Sequence, residues 1–290
     1  MSKKIIITGA SGGFGRLTTS TLLRKGHTVI AAMRDPSGKN KGVADTLTRE
    51  GARVVEIDVT DDSSVVNGME NALEWSGGID VVVNNAGVGV LGFQETFTSK
   101  DWKRLFDINV FGVQRVNRAI LPHMRARHAG LLIHISSLLG RMVLPYFGAY
   151  CASKAALEAL ADAYRIELSS WGIESVIVEP GAYGTGFEKH LMRPSDEERR
   201  KDYGAMADDP ERRIESFGKM FEGPQAPNPQ WVADAVAGLV DMPRGERPFR
   251  TTVDRLGMGQ AIEPYNKSIE EIQRHIYSAF GMGELLKLSA

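Results

Sequence analysis

Thr8-Gly9-Ala10-Ser11-Gly12-Gly13-Phe14-Gly15 joins a short apolar run, Lys4–Thr8 (KIIIT), to a helical pattern carrying Leu17, Thr21 and Leu22 that ends before Gly26. Glycines at such a junction allow a tight turn, let the backbone approach a pyrophosphate and bring helix against strand. The helix N-terminus then faces the phosphate charge. A plain strand-to-helix turn also uses glycine, but a position after the first strand of a strand–helix–strand unit favours the phosphate reading. The Walker pattern is absent, because no Gly-Lys-Ser/Thr closes the loop.

Outward from this loop the chain alternates. Thr28–Met33 (TVIAAM), Arg53–Ile57 (RVVEI), Ile79–Asn84 (IDVVVN), Gly130–Ile135 (GLLIHI) and Glu174–Glu179 (ESVIVE) are apolar runs rich in Val and Ile. Helical stretches separate several of them: Ser63 through Trp75 with the Ser63 hydroxyl placed as an N-cap, a long segment around Trp102–Met124, and Ala152–Trp171. The segment after Met33 reads as a polar loop. Runs that are apolar at every position are those of strands buried on both faces, and helices between them imply a parallel sheet. Right-handed crossovers then give an α/β fold: a doubly wound, Rossmann-type sheet of about seven strands with helices on both faces.

Past Gly181 the character changes. Arg193–Glu215 is densely charged, residues 223–229 (GPQAPNP) form a proline-rich loop, Trp231–Met242 reads as an amphipathic helix and Pro248–Thr252 as a late strand. This part carries too little apolar content to bury a core of its own, so residues 1–290 are expected to form a single domain.

The 290 residues carry 35 basic and 36 acidic side chains, a net charge of −1, with 42% hydrophobic and 24% charged residues, the balance of a globular protein. No basic run points to nucleic acid. No apolar run approaches the ~18 residues that cross a bilayer, and the start lacks the pattern of a signal peptide, so a soluble, cytoplasmic protein is expected. The single cysteine, Cys151, cannot form an internal disulfide and reads as a buried inert thiol. The six histidines show no metal-ligand spacing, so no metal is expected.

Further motifs follow the glycine loop, whose spacing is Gly-x-x-x-Gly-x-Gly. Asp58-Val59 ends the third strand, and Asn84-Asn85-Ala86-Gly87 ends the fourth. Ser137 stands thirteen residues before Tyr150, which with Lys154 forms a Tyr-x-x-x-Lys pair; Pro180-Gly181 and Thr185 end the sixth strand. Together, across roughly residues 4–255, they resemble the short-chain dehydrogenase/reductase family, whose nucleotide loop reads TGxxxGxG. Tyr150-Cys151-Ala152-Ser153-Lys154 with the long C-terminal part is similar to its hydroxysteroid and retinol dehydrogenase branch.

Tyr150 and Lys154 are i and i+4 and share a helix face, where an ammonium favours the phenolate. The resemblance implies that Tyr150 is the general acid in carbonyl reduction and the base in alcohol oxidation. It implies that Lys154 also bonds the nicotinamide ribose, that Ser137 rather than Ser136 holds the substrate oxygen, and that Asn109 anchors a water linking the lysine to solvent. The cofactor site it implies comprises Gly9, Ser11, Gly13, Phe14 and Gly15; Arg34; Asp58 and Val59; Asn85, Ala86 and Gly87; Tyr150 and Lys154; and Pro180, Gly181, Tyr183 and Thr185.

At the end of the second strand Met33 is uncharged and Arg34 follows, which favours NADP(H) over NAD(H), since arginine pairs a 2′-phosphate that an acidic residue there would repel. Asp35 comes next and is expected to point away. Only one of the family's two usual basic contacts is present, because the second position is Gly12.

Residues 1–185 then form the nucleotide-binding and catalytic core, 186–228 a substrate lid, and 229–290 a C-terminal helix, last strand and tail. Phe93, Tyr146, Phe147, Tyr183 and Phe187 either line an apolar substrate pocket or pack. The implied activity is NADPH-dependent reduction of an apolar ketone or aldehyde, or alcohol oxidation in reverse. The alternatives are an NAD-dependent alcohol or hydroxysteroid-type dehydrogenase and a non-catalytic dinucleotide-binding sensor. The expected partner is a small-molecule carbonyl or alcohol, with no nucleic acid and no membrane, in a homodimer or homotetramer.

Overall fold

A computed structural model describes residues 1–289. Seven parallel strands form one sheet among these residues: β1 (Lys4–Thr8), β2 (Thr28–Met33), β3 (Arg53–Glu56), β4 (Val81–Asn84), β5 (Gly130–Ile135), β6 (Ile173–Pro180) and β7 (Arg250–Val253), in the order β3-β2-β1-β4-β5-β6-β7. β1 pairs with β2 (Ile5 beside Val29) and with β4 (Ile5 beside Val81). The chain moves outward in opposite directions from these two neighbours, which opens a crevice at the carboxyl ends of β1 and β4.

The helices are α1 (Gly13–Arg24), α2 (Lys41–Arg49), α3 (Asp62–Ser76), α4 (Ser99–Phe106), α5 (Gly112–Ala126), α6 (Gly148–Glu167), α7 (Glu197–Asp202), α8 (Asp209–Gly218), α9 (Gln230–Asp241) and α10 (Met258–Ala279). Successive strand residues face opposite sides of a sheet. Ile6, Ile30, Val82 and Leu132 pack on Val65 and Met69 of α3 and Val116 and Ile120 of α5. Ile5, Ile7, Val83 and Ile133 pack on Leu22 of α1 and Val232 and Val236 of α9. The uniform apolar runs thus fill two cores, each buried aliphatic side chain contributing roughly 1.5–3 kcal/mol.

Four local expectations are corrected. The cap of α3 is Asp61, whose carboxylate accepts the Ser64 N–H at 2.6 Å from an extended backbone, so Ser63 lies inside the first turn. The polar loop after β2 contains α2, an amphipathic helix that buries only Ala44 and Leu47. The segment Trp102–Met124 divides into α4 and α5 around a wider π turn, Asp107–Phe111. The supposed tail holds α10, 22 residues long despite Pro264 inside it, packed beside β7. No helix among the described residues is long and apolar enough to cross a membrane.

Candidate active site

The glycine loop lies at the crevice. Gly9 (φ +66°) and Gly13 (φ +49°) take the left-handed backbone open to glycine. A Cβ on Gly9 would stand 2.9 Å from Ala86 Cα, and one on Gly15 would overlap the Gly9 carbonyl and the Asn85 amide. Thr8 Oγ1 accepts the N–H groups of Asn85 and Ala86, each at 3.1 Å, while Asn85 Nδ2 donates to the carbonyls of Thr8 (2.9 Å) and Gly9 (3.1 Å). Asn85 therefore clamps the end of β4 to the loop through its side chain.

Gly12 faces open space, a Cβ on Gly13 would stand 3.7 Å from Thr185, and Ser11 is half-buried beside them. The first turn of α1 carries no acidic residue. Backbone donors, room where side chains are missing and a helix N-terminus make a cradle that fits a dinucleotide's diphosphate.

At the far end of the crevice, the Asp58 carboxylate is held by the N–H (3.0 Å) and hydroxyl (2.8 Å) of Thr60, and Val59 is buried against Gly112. Arg34 is exposed at the end of β2, and among the described residues its side chain has no ion-pair partner. The Asp35 carboxylate turns back into its own loop and accepts the Lys39 N–H at 2.7 Å, as expected. Glu56 at the end of β3 accepts the Asp35 N–H at 3.2 Å.

On the other side of the crevice, Tyr150 and Lys154 lie in the first turns of α6, both buried. Burial pushes the Tyr150 phenol well above its usual range, partly opposed by the Ser137 side chain beside it. Lys154 Nζ donates to the Ile135 carbonyl at 2.8 Å and stands 5.7 Å from the Tyr150 ring centre. Burial lowers its pKa to about 8, with the Glu158 charge pulling the other way.

Ser137 Oγ accepts the Leu139 N–H at 3.1 Å and so caps a short 3₁₀ turn, whereas Ser136 Oγ donates away from the crevice to Glu158 at 2.7 Å. Asn109, on the π turn, exchanges bonds of 2.9 Å with both backbone groups of Val88 and donates to Ser153 Oγ at 3.0 Å. A Cβ on Gly87 would stand 3.3 Å from Asn109 Oδ1 and 3.6 Å from Lys154 Nζ, so a residue without a side chain separates the two.

Pro180 ends β6, and the Gly181 N–H bonds the Val253 carbonyl at 2.8 Å. Tyr183 donates its hydroxyl to the same carbonyl at 3.0 Å and packs edge-on against Phe14 (5.5 Å) and Trp231 (6.4 Å). Its ring serves packing behind the glycine loop. Phe187 stands over Tyr150, ring centres 5.8 Å apart, and a Cβ on Gly89 would strike it. Phe93 contacts Tyr146 edge-on at 5.2 Å and stacks on Tyr203 at 3.6 Å, while the Tyr203 hydroxyl donates to Glu95 at 2.6 Å. Tyr146 holds φ +70°, a strained conformation for a tyrosine, four residues before Tyr150.

Tyr203 was not among the sequence candidates. It lies in the charged segment, and no local pattern sets it apart from a solvated helix residue. Cys151 is buried, and burial pushes its thiol up, as its inert reading requires.

The sequence pattern of the short chain dehydrogenase family matches residues 3–196. A 3-ketodihydrosphingosine reductase of Bacteroides thetaiotaomicron is 35% identical over 252 residues, covering 87% of this chain and 88% of that protein. Retinol dehydrogenase 8 of Bos taurus is 34% identical over 197 residues, covering 66% and 62%.

Among solved structures, a short-chain dehydrogenase from Streptomyces avermitilis superposes with a TM-score of 0.75 at 29% identity, covering 98% of this chain and 99% of that one. A 3-ketoacyl-(acyl-carrier-protein) reductase from Brucella melitensis, complexed with NADH, does so at 0.70 and 25% identity, covering 87% and 96%. The glycine cradle, the Tyr150–Lys154 face and these matches agree: the chain belongs to the short-chain dehydrogenase family of nicotinamide-dinucleotide-dependent oxidoreductases acting on CH–OH groups.

Proposed function

We propose that this chain is an NADPH-preferring carbonyl reductase for an apolar ketone or aldehyde, acting in reverse as an alcohol dehydrogenase. The observation that carries the reading is the buried group of Ser137, Tyr150 and Lys154 on one wall of the crevice that ends at the glycine cradle. The reductase name of the 35%-identical relative supports the reducing direction.

When bound, the nicotinamide dinucleotide supplies or accepts the hydride. Gly9, Ser11, Gly13, Phe14 and Gly15 would hold its diphosphate with Thr185. Asp58 and Val59 would flank its adenine end, and Asn85, Ala86 and Gly87, with Pro180 and Gly181, would shape the crevice between, while Tyr183 would back the glycine loop through its packing on Phe14. Lys154 would also hold the nicotinamide ribose.

Ser137 Oγ orients the substrate oxygen and polarises the carbonyl. Tyr150, kept protonated by its burial, donates its phenolic proton to that oxygen, and the Lys154 ammonium stabilises the phenolate left behind. In the oxidising direction the phenolate takes the proton back. Asn109 keeps its place through Val88 and Ser153 and would anchor a water beside Lys154.

The exposed Arg34, with Asp35 turned away, supports a 2′-phosphate and hence NADP(H). Residues 186–228 act as the substrate lid on the core of 1–185, with 229–290 closing the fold. Met192 pairs with the loop at Val90, and the aromatic contacts of Phe187 and Tyr203 support this division. Phe93, Tyr146 and Phe187 give the mouth an apolar lining. A homodimer or homotetramer through α4–α5 and α6, in the cytoplasm, completes the reading, with Phe111 exposed on that face.

The test is oxidation of NADPH and of NADH in parallel, with a panel of apolar ketones and aldehydes, by the parent and by Tyr150→Phe. Faster turnover with NADPH, lost in Tyr150→Phe, is expected. A clear NADH preference would overturn the Arg34 argument. Cofactor binding without turnover on any carbonyl would favour a sensor.

A further inference from the structure

Behind the candidate site lies a buried ionic cluster that the proton transfer does not use. Glu158 is one turn beyond Lys154 on α6, and Glu179 immediately precedes Pro180 on β6; they are 1% and 0% exposed. Arg250 of β7 bridges them, bonding Glu158 and, at 2.9 Å, Glu179. Arg141, four residues past Ser137, reaches Glu158 at 3.4 Å and donates to Asn266 of α10 at 2.8 Å, and its guanidinium stacks 4.5 Å over the Tyr265 ring. Asn266 in turn donates to Glu179 at 2.7 Å, as does Thr252 at 3.1 Å.

Two carboxylates and two guanidiniums balance. Three of the pieces of chain that carry candidate site residues are thereby tied from behind: the Ser136–Ser137 corner, the Tyr150–Lys154 face and the Pro180–Gly181 turn.

Glu158 accepts from Ser136, Arg141 and Arg250, an acceptor pattern that suits an ionised carboxylate. Buried ion pairs contribute little net stability compared with apolar packing of the same volume, so the arrangement needs another explanation. Lys154 lies one turn before Glu158 on α6 and feels its charge. From the other elements packed against it, Lys154 meets the Ile135 carbonyl, the amide of Asn109 across Gly87, and His134 of β5, which burial keeps neutral with a pKa lowered to about 3.

We propose that Glu158 is a positioning residue for the proton-transfer pair: its carboxylate, fixed by Arg141, Arg250 and Ser136, holds the Lys154 ammonium charged one helical turn away and locks the Ser136–Ser137 corner. The inference rests on the reading of Tyr150 and Lys154 given above. Glu158 acts through Lys154 and Ser136 and touches no reacting atom. Burial alone disfavours the ammonium, and the Glu158 charge opposes that effect.

The test follows Lys154 directly, without a substrate, by the pH dependence of its ¹³Cε resonance in the full chain, assigned by comparison with Lys154→Met. Glu158→Gln keeps an acceptor for Ser136 but removes the charge, so the Lys154 midpoint falls, by roughly one pH unit for a charge a helical turn away in a partly screened interior. Arg141→Gln removes a cation from the same cluster, so the midpoint rises. Opposite shifts are expected; shifts of the same sign, or none, overturn the proposal, because a purely structural disturbance has no reason to follow charge.

If Glu158→Gln does not fold by circular dichroism, Arg141→Gln decides alone, and an unmoved midpoint overturns the proposal. The alkaline limb of NADPH-dependent carbonyl reduction is expected to move with the resonance. A limb that stays put while Lys154 shifts would refute the coupling, whereas turnover surviving Tyr150→Phe would refute the underlying reading.

Discussion

Arg250→Met removes the guanidinium that bridges Glu158 and Glu179 while keeping a flexible, unbranched side chain in its place. The Arg250 side chain is 6% exposed and its two partners 2% and 0%, so water cannot replace the lost bonds. Breaking a buried pair in this way costs about 3–5 kcal/mol. Arg141 stays near Glu158 at 3.4 Å, and Asn266 and Thr252 still serve Glu179, which places the expected loss toward the lower end.

For a domain of this size each kcal/mol moves the melting temperature by about 2 °C, so a drop of about 6 °C or more is expected. The loss also depends on pH. Burial holds the Glu158 carboxyl above its ordinary range, and Arg250 leads the effects that oppose it, so removing the arginine raises it further. A carboxyl whose folded pKa lies above its unfolded one penalises the fold when ionised, and protonation removes the penalty. The deficit of Arg250→Met relative to the parent is therefore greatest above the raised folded pKa and shrinks as pH falls through it toward the unfolded value. Urea unfolding followed by far-ultraviolet circular dichroism, on the acid and alkaline sides of neutrality, measures both effects. Parent-like stability in alkaline buffer, or a deficit that grows on acidification, would refute the reasoning.

Two further outcomes follow from single residues. Gly15→Val places a branched side chain where even a Cβ overlaps the Gly9 carbonyl and the Asn85 amide, so NADPH affinity, measured by nucleotide fluorescence, should fall at least about tenfold, with stability lower by about 1–3 kcal/mol; unchanged affinity would show that the loop is not the diphosphate cradle. Cys151 is 3% exposed with its thiol pushed up by burial, so a disulfide reagent should modify the folded chain on the order of 100-fold more slowly than the urea-unfolded chain, and equal rates would contradict its burial.

The amino-acid sequence by itself determined the elements whose signal is local. Ile5, Ile6 and Ile7 are all apolar because strand residues alternate between two covered faces, and that is visible without coordinates. The glycine loop and the Tyr150–Lys154 spacing are equally local, since a turn or one turn of helix places those atoms together. Motif spacing favours Ser137 over Ser136 as the residue that would hold the substrate oxygen, whereas the turn of the Ser136 hydroxyl toward Glu158 is tertiary.

Only the folded chain decided the strand order and the stacking of Tyr203 on Phe93. It also decided the joining of Arg141, Glu158, Glu179, Arg250 and Asn266. Asn266 and Arg141 are 125 residues apart, and Arg250 and Glu158 are 92 apart. No periodicity links such residues. They meet because the parallel sheet sets β6 beside β7 and α10 packs against β7, and burial there leaves the charges to pair with one another and with the few polar side chains beside them.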